Sequence, residues 1–210
     1  MPLLKHRTKG CLSDPDGSAH LSFWHITETE EALAACLPSS HDYLLEAHKI
    51  STNANRRKEW LAVRALLFHA LGPGVQIAYS PLGSPYLSGS PLHVSISHSH
   101  GFAALALSPR PVGLDIEVWG PRALRLSPRF ITAEEGELLS EDPERMAVMI
   151  WSAKEAIYKR FSQYGISLYD DIHLEKMADG RLLATIPKLQ QHTRIVCEAC
   201  SDFALTYTLD

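Results

Sequence analysis

Hydrophobic residues recur at helical spacing in two long stretches of the chain. In the first, residues 55–71, Trp60, Val63, Leu67 and Leu71 fall on one face, and Gly72-Pro73-Gly74 stops the run. In the second, Asp142-Pro143 opens a helix reaching about Phe161, with Met146, Met149, Ile150, Ala153, Ile157 and Phe161 as its apolar stripe. Strand-like runs are predicted at 21–26, 76–79, 92–97, 102–107 and 112–118, and four more around Ile172, Leu182, Ile195 and Leu205. Thr27-Glu28 reads as an acidic helix start, and Thr132 as the cap of a short helix. Residues 5–20, with Asp14-Pro15-Asp16-Gly17, read as an irregular lead-in, and Gly83-Ser84-Pro85 as a compact turn. Ser108-Pro109-Arg110-Pro111 is the best linker candidate, dividing the chain into 1–109 and 110–210. The class these elements predict is α+β or mixed α/β with mostly antiparallel strands.

Composition narrows the setting. With 45% hydrophobic and 21% charged residues in 210, the chain is an ordinary globular sequence rather than a disordered, collagenous or coiled-coil one. Apolar runs such as 102–107 fall far short of the ~20 residues a membrane span needs, and Met1-Pro2-Leu3-Leu4-Lys5-His6 lacks the apolar core of a secretory leader. Twenty basic against 24 acidic residues give −4, which argues against bulk nucleic-acid binding. Of four cysteines, Cys11 and Cys36 stand alone; Cys197 and Cys200 form one CxxC without a second ligand pair, so both read as strand residues. A reducing, cytoplasmic compartment is expected.

Four segments carry candidate chemistry. In Gly113-Leu114-Asp115-Ile116-Glu117, strand alternation puts Asp115 and Glu117 on one face. Two carboxylates ~7 Å apart repel by roughly 2–4 kcal/mol unless a cation or solvent intervenes. In Trp151-Ser152-Ala153-Lys154-Glu155-Ala156-Ile157-Tyr158-Lys159, Glu155 and Lys159 are i, i+4 neighbours, either a surface ion pair or part of a site. In Val94-Ser95-Ile96-Ser97-His98-Ser99-His100, serine hydroxyls and His98 at a strand end suit a phosphate; a metal pair of His98 and His100 is the rival reading. In Phe130-Ile131-Thr132-Ala133-Glu134-Glu135, Thr132 and Glu135 fit a capping box, which competes with any role of Glu135 in a site. The first turns of the 55–71 helix carry Arg56, Arg57, Lys58 and Arg64, positive charge that the helix dipole disfavours and that needs another reason.

Taken together, in this order and spacing, these segments resemble the 4'-phosphopantetheinyl transferases, specifically the larger, surfactin-synthetase-activating type, over residues 55–170. The resemblance implies a pseudo-dimer of two similar α/β lobes, 1–109 and 110–210, with coenzyme A in the cleft between them. It implies transfer of the phosphopantetheine arm of coenzyme A to a serine of an apo acyl carrier protein, or of a polyketide or peptide synthetase carrier domain. The other product would be adenosine 3',5'-bisphosphate. Matched residue by residue, Asp115, Glu117 and Glu155 stand at the magnesium ligands, and Ser97 and His98 stand near the nucleotide 3'-phosphate. Lys154 and Lys159 stand at the phosphates, and Glu135 is a further acidic site residue. Three oxygen ligands suit Mg²⁺ better than zinc. Glu155 is expected on the base side, directly or through a metal-bound water, and Lys159 is expected to stabilise the phosphoryl oxygens or the leaving group. A monomer is expected, with no nucleic-acid or membrane partner.

Two departures stand out. The family often has Gly-Lys-Pro ahead of the Ser-His strand, where this chain has Gly83-Ser84-Pro85, so the Arg56-Arg57-Lys58 cluster is expected to supply the missing charge. The family's Gly-Lys-Gly after the helix is Gln163-Tyr164-Gly165 here. An acidic carrier would need a local positive patch, expected from Arg122, Arg125 and Arg129 with Lys154 behind them. A Mg²⁺-dependent phosphohydrolase and a non-catalytic coenzyme A-binding or carrier-binding module are the competing readings.

Overall fold

The computed structural model describes residues 19–177 and 181–209, so the turn at Asp14–Gly17 and Cys11 lie outside the described residues. Two compact units meet at the Pro109/Arg110 boundary. In the first, β1 (His20–His25), β5 (Phe102–Ser108) and β4 (His93–Ser99) form an antiparallel sheet in the order β1-β5-β4, with Phe23 opposite Ala104 and Ile96 opposite Leu105. Helices α1 (Glu30–Ala34), α2 (Tyr43–Ile50) and α3 (Ala54–Leu71) precede a hairpin of β2 (Gln76–Tyr79) and β3 (Pro85–Ser88). Asn53 starts α3 by accepting from the Asn55 and Arg56 amides, and Gly72, at φ +77°, ends it. The buried face of α3, with Trp60, Leu61, Val63, Leu66 and Leu67, shares a core with Trp24, Leu33 and Leu105.

Two elements of this unit depart from the sequence reading. In α2, Leu45 and Ile50 are exposed while Ala47 is buried, so apolar residues on opposite sides blur the helical period. The Gly83-Ser84-Pro85 turn continues directly into β3, because Pro85, as first residue of a strand, has no amide to lose from the ladder.

The second unit holds β6 (Leu114–Val118), a short helix α4 (Arg122–Leu126), the long helix α5 (Pro143–Phe161), and β7 (His173–Lys176), β8 (Leu182–Ile186), β9 (Gln191–Ala199) and β10 (Phe203–Leu209). Its antiparallel sheet runs β6-β10-β9-β8-β7. Asp142 caps α5 by accepting from the Arg145 amide, with Pro143 in the first turn. Ile150, Ala153 and Ile157 of α5 are buried with Phe130, Ile172, Ala184, Ile186 and Ile195. The overall class is therefore mixed helix and strand with antiparallel pairing, each unit packing a long helix on its own sheet. Cys197 lies in β9 opposite Thr206, where burial pushes its thiol up to about 12, whereas Cys200, expected in the strand, falls just past its end at Ala199; Cys36, Cys197 and Cys200 are not in disulfides.

A close approach sets the position of β6. A Cβ on Gly113 would lie 1.8 Å from the Ala156 carbonyl oxygen, so only glycine lets the strand start so near α5. The same residue donates to Thr208 Oγ1 (2.9 Å) and accepts from the Thr208 amide (3.0 Å), pinning it to β10.

Candidate active site

In the second unit, the Gly113 contact places β6 so that Asp115 meets α5. Lys159 of α5 donates to Asp115 Oδ1 at 2.7 Å and to the Leu114 carbonyl at 3.1 Å. Leu114 and Ile116 are buried, and Asp115, at 5% exposure, is nearly so. One turn before Lys159, Glu155 is half-buried. Burial raises its carboxyl above the ordinary glutamate value, and the negative charges of Asp115 and Glu117 add to this against the opposing pull of Lys159. The structure thus brings Asp115, Glu117, Glu155 and Lys159 into one electrostatic neighbourhood.

The donor chemistry of this cluster fits a hard divalent cation: three carboxylates, no thiolate or imidazole, and mutual repulsion that a cation would relieve. The geometry is not a closed cage, since no three His, Cys, Asp or Glu side chains among the described residues are gathered closely enough to hold an ion. The Lys159 ammonium provides the positive charge at Asp115 instead.

Lys154 and Glu135 do not join that cluster. Lys154 is 0% exposed, and its ammonium donates to Glu135 Oε2 at 2.8 Å. Glu135 Oε2 also accepts from the Thr132 amide (2.9 Å), and Oε1 accepts from the Leu174 amide (2.7 Å). The Glu135 amide returns a bond to Thr132 Oγ1, completing the reciprocal pattern of a capping box. Burial lowers the Lys154 ammonium from its ordinary value, with the bond to Glu135 working the other way. The pair ties α5 to the loop after Ile131 and to β7.

In the first unit, a second cluster forms where the start of α3 meets the end of β4. Glu59 Oε2 accepts from His98 Nδ1 at 2.9 Å and lies 3.5 Å from Arg56 Nη1, while the Arg56 guanidinium touches His98 Nε2. Burial opposes ionisation of Glu59, but the bonds from His98 and Arg56 outweigh it and hold the carboxyl below the usual range. A cavity of about 470 Å³ adjoins the cluster, lined by Ile26, Asn55, Lys58, Glu59, His100 and Gly101. His100 (φ +44°) and Gly101 (φ +87°) make the tight left-handed turn between β4 and β5.

The other residues expected at a phosphate lie elsewhere. Ser97, one residue from His98 along β4, faces the opposite side of the sheet and is buried, because strand side chains alternate. The Arg57 guanidinium grips Glu30 through Nε (2.7 Å) and Nη2 (2.8 Å), and donates through Nη1 to the carbonyls of Ser51 (3.2 Å) and Thr52 (2.7 Å). Arg57 therefore holds α1 and the entry to α3, which leaves Arg56 at His98 and Lys58 on the adjoining cavity as the basic groups of this cluster. Glu59 escaped the sequence reading; its only signal was a glutamate three residues after Arg56 in a basic turn.

The chain is similar in sequence to several known proteins. The family model described as the 4'-phosphopantetheinyl transferase superfamily matches residues 111–208. A 4'-phosphopantetheinyl transferase AcpT of Escherichia coli O157:H7 is 35% identical over 159 residues, covering 72% of this chain and 80% of that protein. A 4'-phosphopantetheinyl transferase of Bacillus subtilis is 26% identical over 147 residues, covering 62% and 66%. Among solved structures, holo-[acyl-carrier-protein] synthase of Helicobacter pylori in complex with coenzyme A aligns with a TM-score of 0.39 at 22% identity, over 47% of this chain and 97% of that one.

Proposed function

Because the chain belongs to the 4'-phosphopantetheinyl transferase family, we propose that it moves the phosphopantetheine arm of coenzyme A onto a serine of an apo acyl carrier protein or carrier domain. The observation that carries the site assignment is the Asp115–Glu117–Glu155–Lys159 neighbourhood, in which Glu155 is pushed toward its protonated form by burial and by its neighbours.

In this reading, Asp115, Glu117 and Glu155, drawn closer together than they stand in the structure, would hold Mg²⁺, which when bound supplies positive charge to the diphosphate and to the departing nucleotide. Glu155, half-buried and with its carboxyl raised by burial, takes the proton of the attacking serine hydroxyl in this reading, directly or through a water. The serine oxygen forms a bond to the β-phosphorus as that phosphorus releases the oxygen it shares with the α-phosphate, so adenosine 3',5'-bisphosphate departs. Lys159, on the same face one turn on, stabilises the phosphoryl oxygens when its bond to Asp115 is shared with the ligand.

Arg56, Lys58 and His98 hold the nucleotide's 3'-phosphate, with Arg56 and Lys58 supplying the charge that Ser84 lacks. Glu135 and Lys154 support the reaction from within the fold, by fixing α5 and hence the attitude of Glu155 and Lys159. A monomer acting in the cytoplasm is part of the same reading. Among the described residues no helix is long and apolar enough to cross a membrane.

The fate of the arm tests the activity. Incubation of an apo carrier with coenzyme A and Mg²⁺ should leave the arm covalently on the carrier serine. Release of free phosphopantetheine with an unmodified carrier would instead identify a hydrolase.

A further inference from the structure

We infer that Glu59 is a positioning residue for coenzyme A recognition: its carboxylate fixes the His98 imidazole so that Nε2 and the Arg56 guanidinium present one joint site to the terminal 3'-phosphate. The inference rests on the proposed function and names a residue that reading does not require.

The geometry is specific about which nitrogen is held. An ionised carboxylate only accepts, so the 2.9 Å contact from Glu59 Oε2 places the proton on His98 Nδ1. A guanidinium only donates, so Arg56 beside Nε2 meets that nitrogen's lone pair. Arg56 and Nε2 therefore face each other in the ligand-free chain, and a phosphate oxygen that enters between them can accept from the guanidinium and, once Nε2 carries a proton, from the ring as well. The proton shared by Nε2 and that oxygen comes from solvent or from the phosphate monoester, whose second ionisation lies near pH 6.

Charge alone does not explain a carboxylate here. Glu59 sits among Arg56, Lys58 and His98, and its negative charge works against an anionic ligand at long range. Neutralising Arg56 is not its main use either, since that contact is 3.5 Å against 2.9 Å for His98. Its side chain is 12% exposed, so it is held rather than free to swing into solvent. Among the described residues, the charged and titratable groups at the ring are Glu59 and Arg56, and the cavity adds Lys58 of α3 and His100 of the β4–β5 turn. Across β5 the ring's strand partner is Ala103. No other group among these accepts from Nδ1.

Binding of coenzyme A and of 3'-dephospho-coenzyme A should be measured for the full chain and for Glu59→Ala, Glu59→Gln, His98→Ala and the double variant Glu59→Ala/His98→Ala. Glu59→Ala should weaken coenzyme A roughly ten-fold, the scale of one charge-assisted bond, and leave the dephospho ligand unchanged. Saturating kcat should be retained, so the loss appears in KM. Glu59→Gln, whose amide oxygen can still accept from Nδ1, should recover most of the affinity. In the His98→Ala background, Glu59→Ala should have no further effect on the difference between the ligands. Long-range ¹H–¹⁵N spectra should show the Nδ1–H tautomer of His98 in the ligand-free protein and its loss in Glu59→Ala. Equal losses for both ligands, or additive effects in the double variant, overturn the role of Glu59 while leaving the transferase assignment standing. A wild-type protein that binds both ligands equally, with His98→Ala unchanged, overturns the phosphate assignment itself.

Discussion

Lys154 and Glu135 form a buried ion pair, 2.8 Å from Nζ to Oε2, although one lies on α5 and the other in a short 3-10 helix, Glu134–Leu139, 19 residues earlier in sequence. Every polar atom of the Glu135 carboxylate is engaged by Lys154, Thr132 or Leu174. A charge pair so enclosed is strongly destabilising when only one partner is removed, because the other is left without compensation.

The first prediction follows from that pair. Glu135→Ala should lower unfolding stability by about 3–5 kcal/mol in denaturant titration, and transfer should fall mainly through loss of folded protein. Replacing both members with apolar residues of similar volume, Glu135→Leu with Lys154→Met, should recover part of the stability. A Glu135→Ala protein of unchanged stability but abolished turnover would put Glu135 at the substrate instead.

Arg56 and Arg57, adjacent in sequence, should behave oppositely. Arg56→Gln should raise the KM for coenzyme A and leave the melting temperature nearly unchanged. Arg57→Gln should lower the melting temperature and leave KM unchanged, since its guanidinium is spent on Glu30, Ser51 and Thr52. The bond from Arg57 holds the Glu30 carboxyl below its ordinary 4.5, so this ion pair stabilises the protein fully above that pH. Its contribution is lost as pH falls through the lower folded value. The stability gap between wild type and Glu30→Gln should therefore be open at pH 7 and close in acid. A gap that persists unchanged at the lowest pH contradicts the pairing.

Gly113→Ala should be poorly tolerated. Its Cβ would strike the Ala156 carbonyl, and moving β6 away would carry Asp115 from Lys159 and Glu155. The expected loss is roughly 1–3 kcal/mol or more, with a matching loss of divalent-cation affinity by calorimetry. Normal cation binding in a destabilised Gly113→Ala protein would separate the strand position from the site.

For the carrier, Arg122, Arg125 and Arg129 are all exposed, whereas the buried Lys154 adds nothing to a surface patch. Arg125→Glu should raise the carrier KM several-fold at low ionic strength and less at high salt, with coenzyme A binding unaffected. A carrier KM flat across salt and charge reversal would assign docking to apolar contacts.

Much of the fold was legible because its signals are local. The Asp142-Pro143 start of α5 and the alternation around Asp115 depend on near neighbours, and the structure has both; of the α5 stripe it buries Ile150, Ala153, Ile157 and Phe161, while Met146 and Met149 are half-buried and Ala147 and Val148 fill the core at that end. The reciprocal bonding of Thr132 and Glu135 was legible for the same reason. What local pattern could not supply was the partner across space. Lys154 and Lys159 look alike in sequence, yet one points into the core to Glu135 and the other reaches Asp115, because they lie on different sides of one helix. Arg57 looked like a phosphate ligand until Glu30, far earlier in the chain, was seen to occupy it. His98 and Ser97 share a motif but not a face of the sheet.

The most direct test of the central claim is a paired assay on one reaction: intact mass of an apo carrier and release of adenosine 3',5'-bisphosphate, with and without Mg²⁺. One nucleotide should appear for each carrier that gains the arm, both should require the divalent ion, and Asp115→Ala should lower both by at least ~10²-fold while remaining folded. Nucleotide release without carrier modification, or turnover undiminished by chelation and by Asp115→Ala, would contradict the assignment.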